Sequence, residues 1–475
     1  MSKPHLLLLL WLIWCCNVVV FFLQADATFV SNDTTGISFE MFHMHSPELK
    51  TQEISLGTPK CRLDRFMQLL ENDNARRTML SSHRLGQRRM MIQSPTAEIP
   101  LRSGASVGHG VFYVSFRIGS PHPQKFVLVA DTASDLTWMN CKLLCKGCPE
   151  FNFSSGRVFQ AKDSPSFQTI PCGGKTCQED LVQSFALPDC PTPDTPCLYN
   201  YSYYGDRSAS GVFANETVTV GLHGHHKIVL YHVLFGCTES SRLPPPFPDG
   251  VMGLGFSSIS FAMRLADMFG NKFSYCLVDH LSPSNLNNYL SFGEPQHSKP
   301  QKMQYTELIL HNSDVFYWVN VSGISVGDKM LNIPPETWNI TNGGGAIIDS
   351  GTTLTLLAEA AYAAVMDAFI GTLTKFKKVE MPVTEFCFEA TGFQESSVPN
   401  FVIHFADGAK LEPLVKSYII DAADGIKCLG FQPPQKGDIS IIGNIMQQGH
   451  YWEFDIGRSK LGFGPSSCIL TNPKD

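Results

Sequence analysis

The stretch Phe126-Val-Leu-Val-Ala-Asp131-Thr-Ala-Ser134-Asp-Leu-Thr-Trp138 decides the fold of this chain. Its first five residues are apolar and rich in Val, which predicts a buried β-strand. Asp131 follows directly and small hydroxyl residues come after it, so the strand delivers a carboxylate into a tight turn. Such turns are common at strand ends, and one alone is weak support for a catalytic role.

A second copy of the pattern lies 218 residues further on, in Ala346-Ile-Ile-Asp349-Ser-Gly351-Thr352-Thr-Leu-Thr-Leu-Leu. Two carboxylates that lie close together cannot both ionise cheaply, so they share one proton. One is then a base that activates water, and the other is an acid that protonates a carbonyl oxygen. The repeated turn therefore predicts an acid–base pair made of Asp131 and Asp349.

On these residues the chain resembles a pepsin-family aspartic protease of the plant type, close to the nepenthesin, nucellin and chloroplast-nucleoid-protease group. The resemblance extends from about Leu101 to Cys468. It implies an all-β, bilobal fold with few short helices and an active-site cleft between two related β lobes. It also implies a monomeric endopeptidase that acts on proteins or peptides and needs no metal or cofactor.

The resemblance also implies roles for the residues around the two aspartates. The aspartates would hold the attacking water by symmetrical hydrogen bonds, and Ser134 and Thr352 would hydrogen-bond the outer carboxylate oxygens. Further support for the dyad is expected from Thr132, Ser350 and Gly351. In the flap and cleft, Tyr204 would close over the substrate with Trp138 behind it.

Composition and the N-terminus indicate a secreted globular protein. Of 475 residues, 17% are charged and 11% are aromatic, which suits a β-rich chain rather than a disordered one. The net charge is −7 and there is no basic block, which argues against nucleic acid as a partner. A charged and then apolar N-terminus with an Ala-x-Ala site predicts a signal peptide at residues 1–27, with an uncleaved signal anchor as the alternative.

The same features predict the location and the domain organisation. The mature protein is expected in the secretory pathway, in the apoplast or the vacuole, without stable membrane association. Residues 28–97 carry nine basic and seven acidic residues, and this basic segment ahead of an acidic domain suggests an electrostatically held propeptide. A solvated basic helix at residues 62–89 is the alternative. Residues 98–297 are expected to form the N-terminal lobe, with the flap and a cysteine-rich insert, and residues 298–475 the C-terminal lobe.

Twelve of the fifteen cysteines lie after the predicted propeptide, an even number that fits full pairing in an oxidising compartment. The spacing Cys141-x3-Cys145-x2-Cys148 also fits a zinc site, which a secreted chain disfavours. Spacing alone leaves very many connectivities open. The resemblance implies one map: Cys141–Cys145, Cys148–Cys237, Cys172–Cys197, Cys177–Cys190, Cys276–Cys468 and Cys387–Cys428.

Asn-x-Ser/Thr sequons suggest a glycoprotein when they are taken together with the signal peptide. One, at Asn32, lies in the predicted propeptide of residues 28–97, which we call the leader. The candidates in the expected mature chain are Asn152, Asn200, Asn215, Asn320 and Asn339.

Two other functions compete with proteolysis. Gly-x-Ser-x-Gly occurs at residues 104–108 and 323–327, but a serine-hydrolase elbow needs a helix after the serine, and strand-like or turn-like residues follow here. The stronger rival is a catalytically impaired pepsin-like protein that acts as a binding or inhibitor protein. Ala133 stands where the family has glycine, and Arg207 stands at the turn of the flap, where plant relatives usually have glycine. Both aspartates are present, which favours the enzyme.

Overall fold

The protein is described by a computed structural model in which the leader is represented by a strand and by one face of a helix. The described leader residues are 37–43, 63, 66, 67, 70, 73, 76 and 77. The other described residues are 112–143, 157–182, 190–202, 208–221, 227–241, 249–266, 269–278, 288–293, 299–311, 314–381, 384–433 and 439–468.

Short β-strands make up most of the described chain. Up to residue 300 they are β1 (Ile37–His43), β2 (Phe112–Ile118), β3 (Gln124–Asp131), β4 (Trp138–Lys142), β5 (Phe159–Gln160), β6 (Gln168–Thr169), β7 (Leu198–Ser202), β8 (Ser208–Gly221), β9 (Lys227–Ser241), β10 (Gly250–Gly253), β11 (Lys272–Cys276) and β12 (Asn288–Phe292).

The second half continues the strand-rich pattern. Its strands are β13 (Gln304–Ile309), β14 (Tyr317–Val319), β15 (Val321–Val326), β16 (Lys329–Met330), β17 (Ala346–Ile348), β18 (Thr355–Leu356), β19 (Lys378–Val379), β20 (Cys387–Glu389), β21 (Phe401–Phe405), β22 (Lys410–Leu411), β23 (Ile419–Ala423), β24 (Ile426–Leu429), β25 (Phe431–Gln432), β26 (Ser440–Ile442), β27 (His450–Asp455) and β28 (Lys460–Pro465).

After the leader, the helices of the described residues are few and mostly short. They are α1 (Phe261–Ala266), α2 (Glu359–Leu373) and α3 (Asn444–Gln447), with a π-helical turn at Thr176–Leu181. Helix α2 buries one face at helical spacing, from Ala361 to Leu373. Single 3₁₀ turns occupy Ala161–Asp163, Pro335–Trp338, Ile340–Asn342, Glu395–Ser397, Val415–Ser417 and Ile456–Arg458. The described part of the chain contains no helix with the length and apolar character needed to cross a membrane.

Each half of the chain places its aspartate in the same strand arrangement. In the first half β10 runs parallel to β3, with Gly253 opposite Asp131, and antiparallel to β4. In the second half β26 runs parallel to β17, with Ile442 opposite Ile348, and antiparallel to β18. Strands β10 and β26 thus lie beside the strands that carry the two aspartates into their turns.

A glycine is needed where β10 crosses the turn after Asp131. A Cβ atom added at Gly253 would lie 2.5 Å from the Asp135 carbonyl oxygen, so no side chain fits there.

One sheet joins the leader to both halves. β1 pairs antiparallel with β2 and β12, β12 pairs with β11, and β11 pairs with β27 of the second half. The Phe273 and Phe454 rings face each other across the β11–β27 pair, stacked with their centroids 4.5 Å apart. This aromatic packing fixes the two halves against each other through a buried core.

Four of the six predicted disulfides are wrong and two are confirmed. Cys276–Cys468 and Cys387–Cys428 are present as predicted. Cys141 pairs with Cys237 rather than with Cys145, because the parallel β4–β9 pair brings the Cα atoms of Cys141 and Cys237 within 5.0 Å of each other. That bond also excludes the predicted Cys148–Cys237 pair, while Cys145 and Cys148 themselves lie outside the described residues.

The cysteine-rich insert is crossed rather than nested. Cys172 pairs with Cys190 and Cys177 pairs with Cys197, against the predicted Cys172–Cys197 and Cys177–Cys190. The sulfur atoms of Cys172, Cys177 and Cys190 all lie within 4.8 Å of one another, so the fold brings these three cysteines together and their order in the sequence does not show which of them pair. This cluster consists of bonded cysteines, which accounts for its metal-like spacing.

Candidate active site

The two aspartates are bonded in the same way, each by its own turn. The Ala133 N–H donates to Asp131 Oδ1 at 3.0 Å, and the Ser134 hydroxyl donates to Asp131 Oδ2 at 2.5 Å. In the second half the Gly351 N–H donates to Asp349 Oδ1 at 2.8 Å. The Thr352 hydroxyl donates to Asp349 Oδ2 at 2.5 Å. The two hydroxyl contacts are those implied by the resemblance, and both carboxylates are fully buried.

Thr132 and Ser350 tie the two turns together. The Thr132 N–H donates to Ser350 Oγ at 3.1 Å, and the Ser350 N–H donates to Thr132 Oγ1 at 2.9 Å. Each hydroxyl also donates across the site, Thr132 to the Ile348 carbonyl and Ser350 to the Ala130 carbonyl. Since these bonds run both ways, neither turn can shift without the other, and the two carboxylates keep a fixed relation.

A leader arginine occupies the space between the carboxylates. Arg76 Nη2 donates to Asp131 Oδ1 at 2.7 Å and to Asp349 Oδ1 at 2.8 Å. Its Nη1 donates to Asp131 Oδ2 at 3.0 Å, and its Nε donates to Asp349 Oδ2 at 2.7 Å and to Thr352 Oγ1 at 2.9 Å. The planar guanidinium thus bridges both acids, and its side chain is completely buried.

Burial and charge act on the pKa values here in opposite directions. Burial raises the pKa of Asp349 above its ordinary value, while Arg76 acts to lower it and Asp131 raises it further. Burial alone would lower the pKa of Arg76, but the attraction of the two carboxylates outweighs it and the pKa is raised. The arginine is therefore a permanent cation at the place where a shared proton would otherwise lie.

The segment around Arg76 is the leader helix, defined here by its described helical residues Leu63, Phe66, Met67, Leu70, Asp73, Arg76 and Arg77. Phe66 and Leu70 are buried in the same apolar cluster as Ala133. The Arg77 Nη1 donates to the Pro433 carbonyl at 2.5 Å. The alternative of a solvated basic helix is wrong for these residues, because five of the seven are buried.

A second charged leader residue holds the backbone after Asp349. The Asp73 carboxylate accepts hydrogen bonds from the Thr353 N–H at 2.7 Å and from the Leu354 N–H at 2.5 Å. Burial raises the pKa of Asp73 to about 7, although both backbone bonds, the Thr353 side chain and Arg76 act to lower it. Sequence reasoning recognised the basic leader but singled out neither Asp73 nor Arg76. Their three-residue spacing within a helical stretch was the available signal.

Asp73 makes the docking of the leader helix depend on pH. Its protonation favours the docked helix, which opposes any release of the leader by acid. The pKa is about 7 when the helix is docked and 3.8 as the ordinary value, so the docked state binds the proton more tightly. This contribution to docking is complete below pH 3.8 and is lost as the pH rises through 7.

We expect Asp73→Asn to remove this pH dependence. The initial peptide-cleavage rate of the full chain, divided by that of the leader-free chain, measures the fraction of molecules whose leader is undocked. We call this the open fraction and compare it at each pH. The ratio of wild-type to Asp73→Asn open fractions should rise between about pH 5 and pH 7, since up to a tenfold change per pH unit accompanies one proton. A ratio that stays constant over this range would contradict the assignment.

The substitution at residue 133 needs no strained backbone. Ala133 does not have a positive φ, and its N–H keeps the bond to Asp131. The matching position is different, because a methyl group on Gly351 would lie 2.5 Å from Asp131 Oδ1 and 2.6 Å from Arg76 Cζ. The dyad thus accepts a methyl on one side and requires glycine on the other while Arg76 is bound.

The flap is described up to its tip. β7 and β8 form the expected hairpin, with Ser202 opposite Ser208. Tyr204 and Arg207 lie outside the described residues. Trp138 is buried in β4, paired with Val251 of β10 and with Gly236 of β9.

The predicted glycosylation sites differ in exposure. Asn320 and Asn339 are exposed, and Asn215 is half-buried within β8. Asn200 lies in β7, and Asn152 lies outside the described residues.

Comparison with known proteins follows the same division into halves. The family model described as xylanase inhibitor N-terminal matches residues 112–294, and the one described as xylanase inhibitor C-terminal matches residues 316–465. Aspartyl protease family protein 2 of Arabidopsis thaliana is 32% identical over 374 residues, 77% of this chain and 73% of that protein. Aspartic proteinase nepenthesin-1 of Nepenthes gracilis is 31% identical over 406 residues, 82% of this chain and 84% of that protein.

Solved structures agree on the fold. Basic 7S globulin from soybean aligns with a TM-score of 0.60 at 17% identity, over 76% of this chain and 95% of that one. The structure described as edgp aligns with a TM-score of 0.60 at 18% identity, over 79% of this chain and 97% of that one.

Paired aspartate turns in two related β halves define a pepsin-like fold. With the relatives above, the chain belongs to the plant atypical pepsin-like aspartic protease family.

Proposed function

We propose that the protein is a secreted aspartic endopeptidase, made as a zymogen, that hydrolyses peptide bonds with water activated between Asp131 and Asp349. The observation that carries the proposal is the matched bonding of the two buried carboxylates, each held by one N–H and one hydroxyl. Two acids held in this way share one proton once the arginine has left. The ionised acid takes a proton from water while the other protonates the carbonyl oxygen of the peptide.

The leader supplies the inhibition in this proposal. While Arg76 bridges the two carboxylates, the water has no place to bind and neither acid is free to transfer a proton. Arg76 acts to lower the pKa of Asp349, so the dyad takes up a proton more readily once the arginine has left. Acid therefore favours departure of the arginine, and Asp73 opposes this effect.

The alternative, an impaired pepsin-like protein with a binding or inhibitory role, has less support. Ala133 is its main argument, and the residue keeps both the ordinary backbone and the hydrogen bond to Asp131. The remaining expectations belong to the proposal: protein or peptide substrates, a monomer, and the apoplast or vacuole as location.

Proteolysis assayed from about pH 3 to pH 8, with pepstatin as inhibitor, tests the proposed function. The full chain should lose its leader and cleave an added protein substrate in acid, and pepstatin should prevent both. Cleavage that resists pepstatin and persists in Asp131→Asn would instead indicate a contaminating protease or another chemistry.

A further inference from the structure

Each aspartate is connected to a buried tyrosine from the opposite half of the chain. On one side, the Leu254 N–H donates to the Asp131 carbonyl at 2.9 Å, and the Tyr317 hydroxyl donates to the Leu254 carbonyl at 2.7 Å. On the other side, Gln447 Nε2 donates to the Asp349 carbonyl at 3.2 Å. The Tyr275 hydroxyl donates to Gln447 Oε1 at 2.5 Å. The two connections cross between the halves.

Gln447 has all the partners that its carboxamide needs. Its Nε2 donates to two carbonyl oxygens, those of Asp349 and Ile442, and this fixes which end of the amide faces the aspartate. Its Oε1 must then accept, so the Tyr275 hydroxyl is the donor. The Trp452 indole N–H donates to the Gln447 carbonyl at 2.9 Å, and this bond fixes the backbone at Gln447.

The tyrosine end of each connection is rigid. Tyr275 and Tyr317 are fully buried, and both rings pack on Phe454, with centroids 5.5 and 4.8 Å from it. Burial and the nearby Asp349 charge hold the pKa of Tyr275 well above its ordinary value, so its hydroxyl stays protonated as a donor. Through Tyr275 and Gln447, the sheet that joins the two halves is therefore linked by hydrogen bonds to the loop that carries Asp349.

We infer that Tyr275 and Gln447 are positioning residues for Asp349. Together with the Asp349 carbonyl we call them the tyrosine brace; the inference rests on the proposed function and extends it. In the first half the equivalent contact to Asp131 is made by backbone. In the second half it is made by the Gln447 side chain. A substitution can therefore remove the contact to Asp349 without altering the main chain, whereas the contact to Asp131 cannot be removed in this way.

The brace acts on the coupling between the two carboxylates. Close, fixed carboxylates titrate with two well-separated apparent pKa values, which form the limbs of a bell-shaped pH–rate profile. If the Asp349 loop relaxes, the carboxylates can move apart and their coupling weakens. The two limbs should then approach each other, and kcat should fall while KM changes little.

Tyr275→Phe removes only the hydroxyl and is the first test. Tyr418→Phe is the matched control, because Tyr418 is also a buried residue but its hydroxyl donates to the Pro399 carbonyl, away from the dyad. With active sites counted by pepstatin titration, Tyr275→Phe should lower kcat about tenfold or more, with KM within about threefold, and narrow the pH profile. Tyr418→Phe should keep the wild-type profile. A Tyr275→Phe enzyme that matches Tyr418→Phe would overturn the inference.

Gln447→Met provides a second variant of similar size. Since Tyr275 acts through Gln447, the double variant should be no worse than Gln447→Met alone, whereas additive losses would contradict the brace. Hydrogen exchange in the full chain gives a readout that needs no activity. The Ser350 and Gly351 amides should exchange faster in Tyr275→Phe than in Tyr418→Phe, and equal rates would overturn the brace even if the wild type proved inactive.

Discussion

Replacing either aspartate, by Asp131→Asn or by Asp349→Asn, should remove nearly all peptidase activity and leave the fold intact. Asparagine keeps the size of the side chain and can still accept from the turn N–H, so the β3 and β17 turns have no reason to unfold. It cannot take or give the shared proton, and loss of the acid–base pair should cost about a thousandfold or more in kcat/KM. Initial rates on the leader-free protein provide the measurement.

The thermal midpoint of each variant separates lost chemistry from lost structure. Ser134→Ala is an informative companion, because it removes one hydroxyl from Asp131 Oδ2 and leaves both acids present. It should retain measurable activity with an altered pH profile. Residual activity above a few per cent in both asparagine variants would place the chemistry elsewhere.

The full chain should be inactive while its leader is docked. Arg76→Ala should undock the leader and make the full chain active at near-neutral pH. Arg76 makes five hydrogen bonds to the two aspartates and Thr352 at complete burial. Removing one partner of a buried ion pair costs about 3–5 kcal/mol, so docking of the leader helix should weaken about a hundredfold or more. The first minutes of peptide cleavage measure this, with mass spectrometry to show that the leader is still attached.

The neighbouring arginine is the matched control for this substitution. Arg77→Ala removes the same charge from the same helix and a contact to the Pro433 carbonyl in place of the contacts to the dyad, so it should open the chain far less. Arg76→Lys should fall between the two, because a single ammonium cannot present the planar fork that bridges both carboxylates. An Arg76→Ala chain as latent as the wild type would refute the inhibitory role.

The central fold features could be predicted because they are local. An apolar strand that ends in Asp131 or Asp349, followed by a hydroxyl-rich turn, needs only strand and turn chemistry to be recognised. The repeat of the pattern in both halves, more than any one copy, carried the prediction of paired carboxylates.

The residues that sequence reasoning missed act over long distances in the chain. Arg76 meets Asp349 across 273 positions, and Tyr275 meets Gln447 across 172. Apart from its three-residue spacing from Asp73, nothing in the local pattern distinguishes Arg76 from the other leader arginines, since docking selects the one that faces the dyad. The disulfide errors have a related cause, because the β4–β9 pairing brings Cys141 to Cys237 and is invisible in their spacing.

Active-site titration tests the central claim most directly. The leader-free protein should cleave a peptide substrate in acid and be inhibited fully by one pepstatin per chain. The full chain should bind pepstatin only after Arg76 has left the dyad, and the Asp349→Asn protein should cleave nothing. A correctly folded, leader-free protein that cleaves no peptide at any pH from about 3 to 8 would contradict the account.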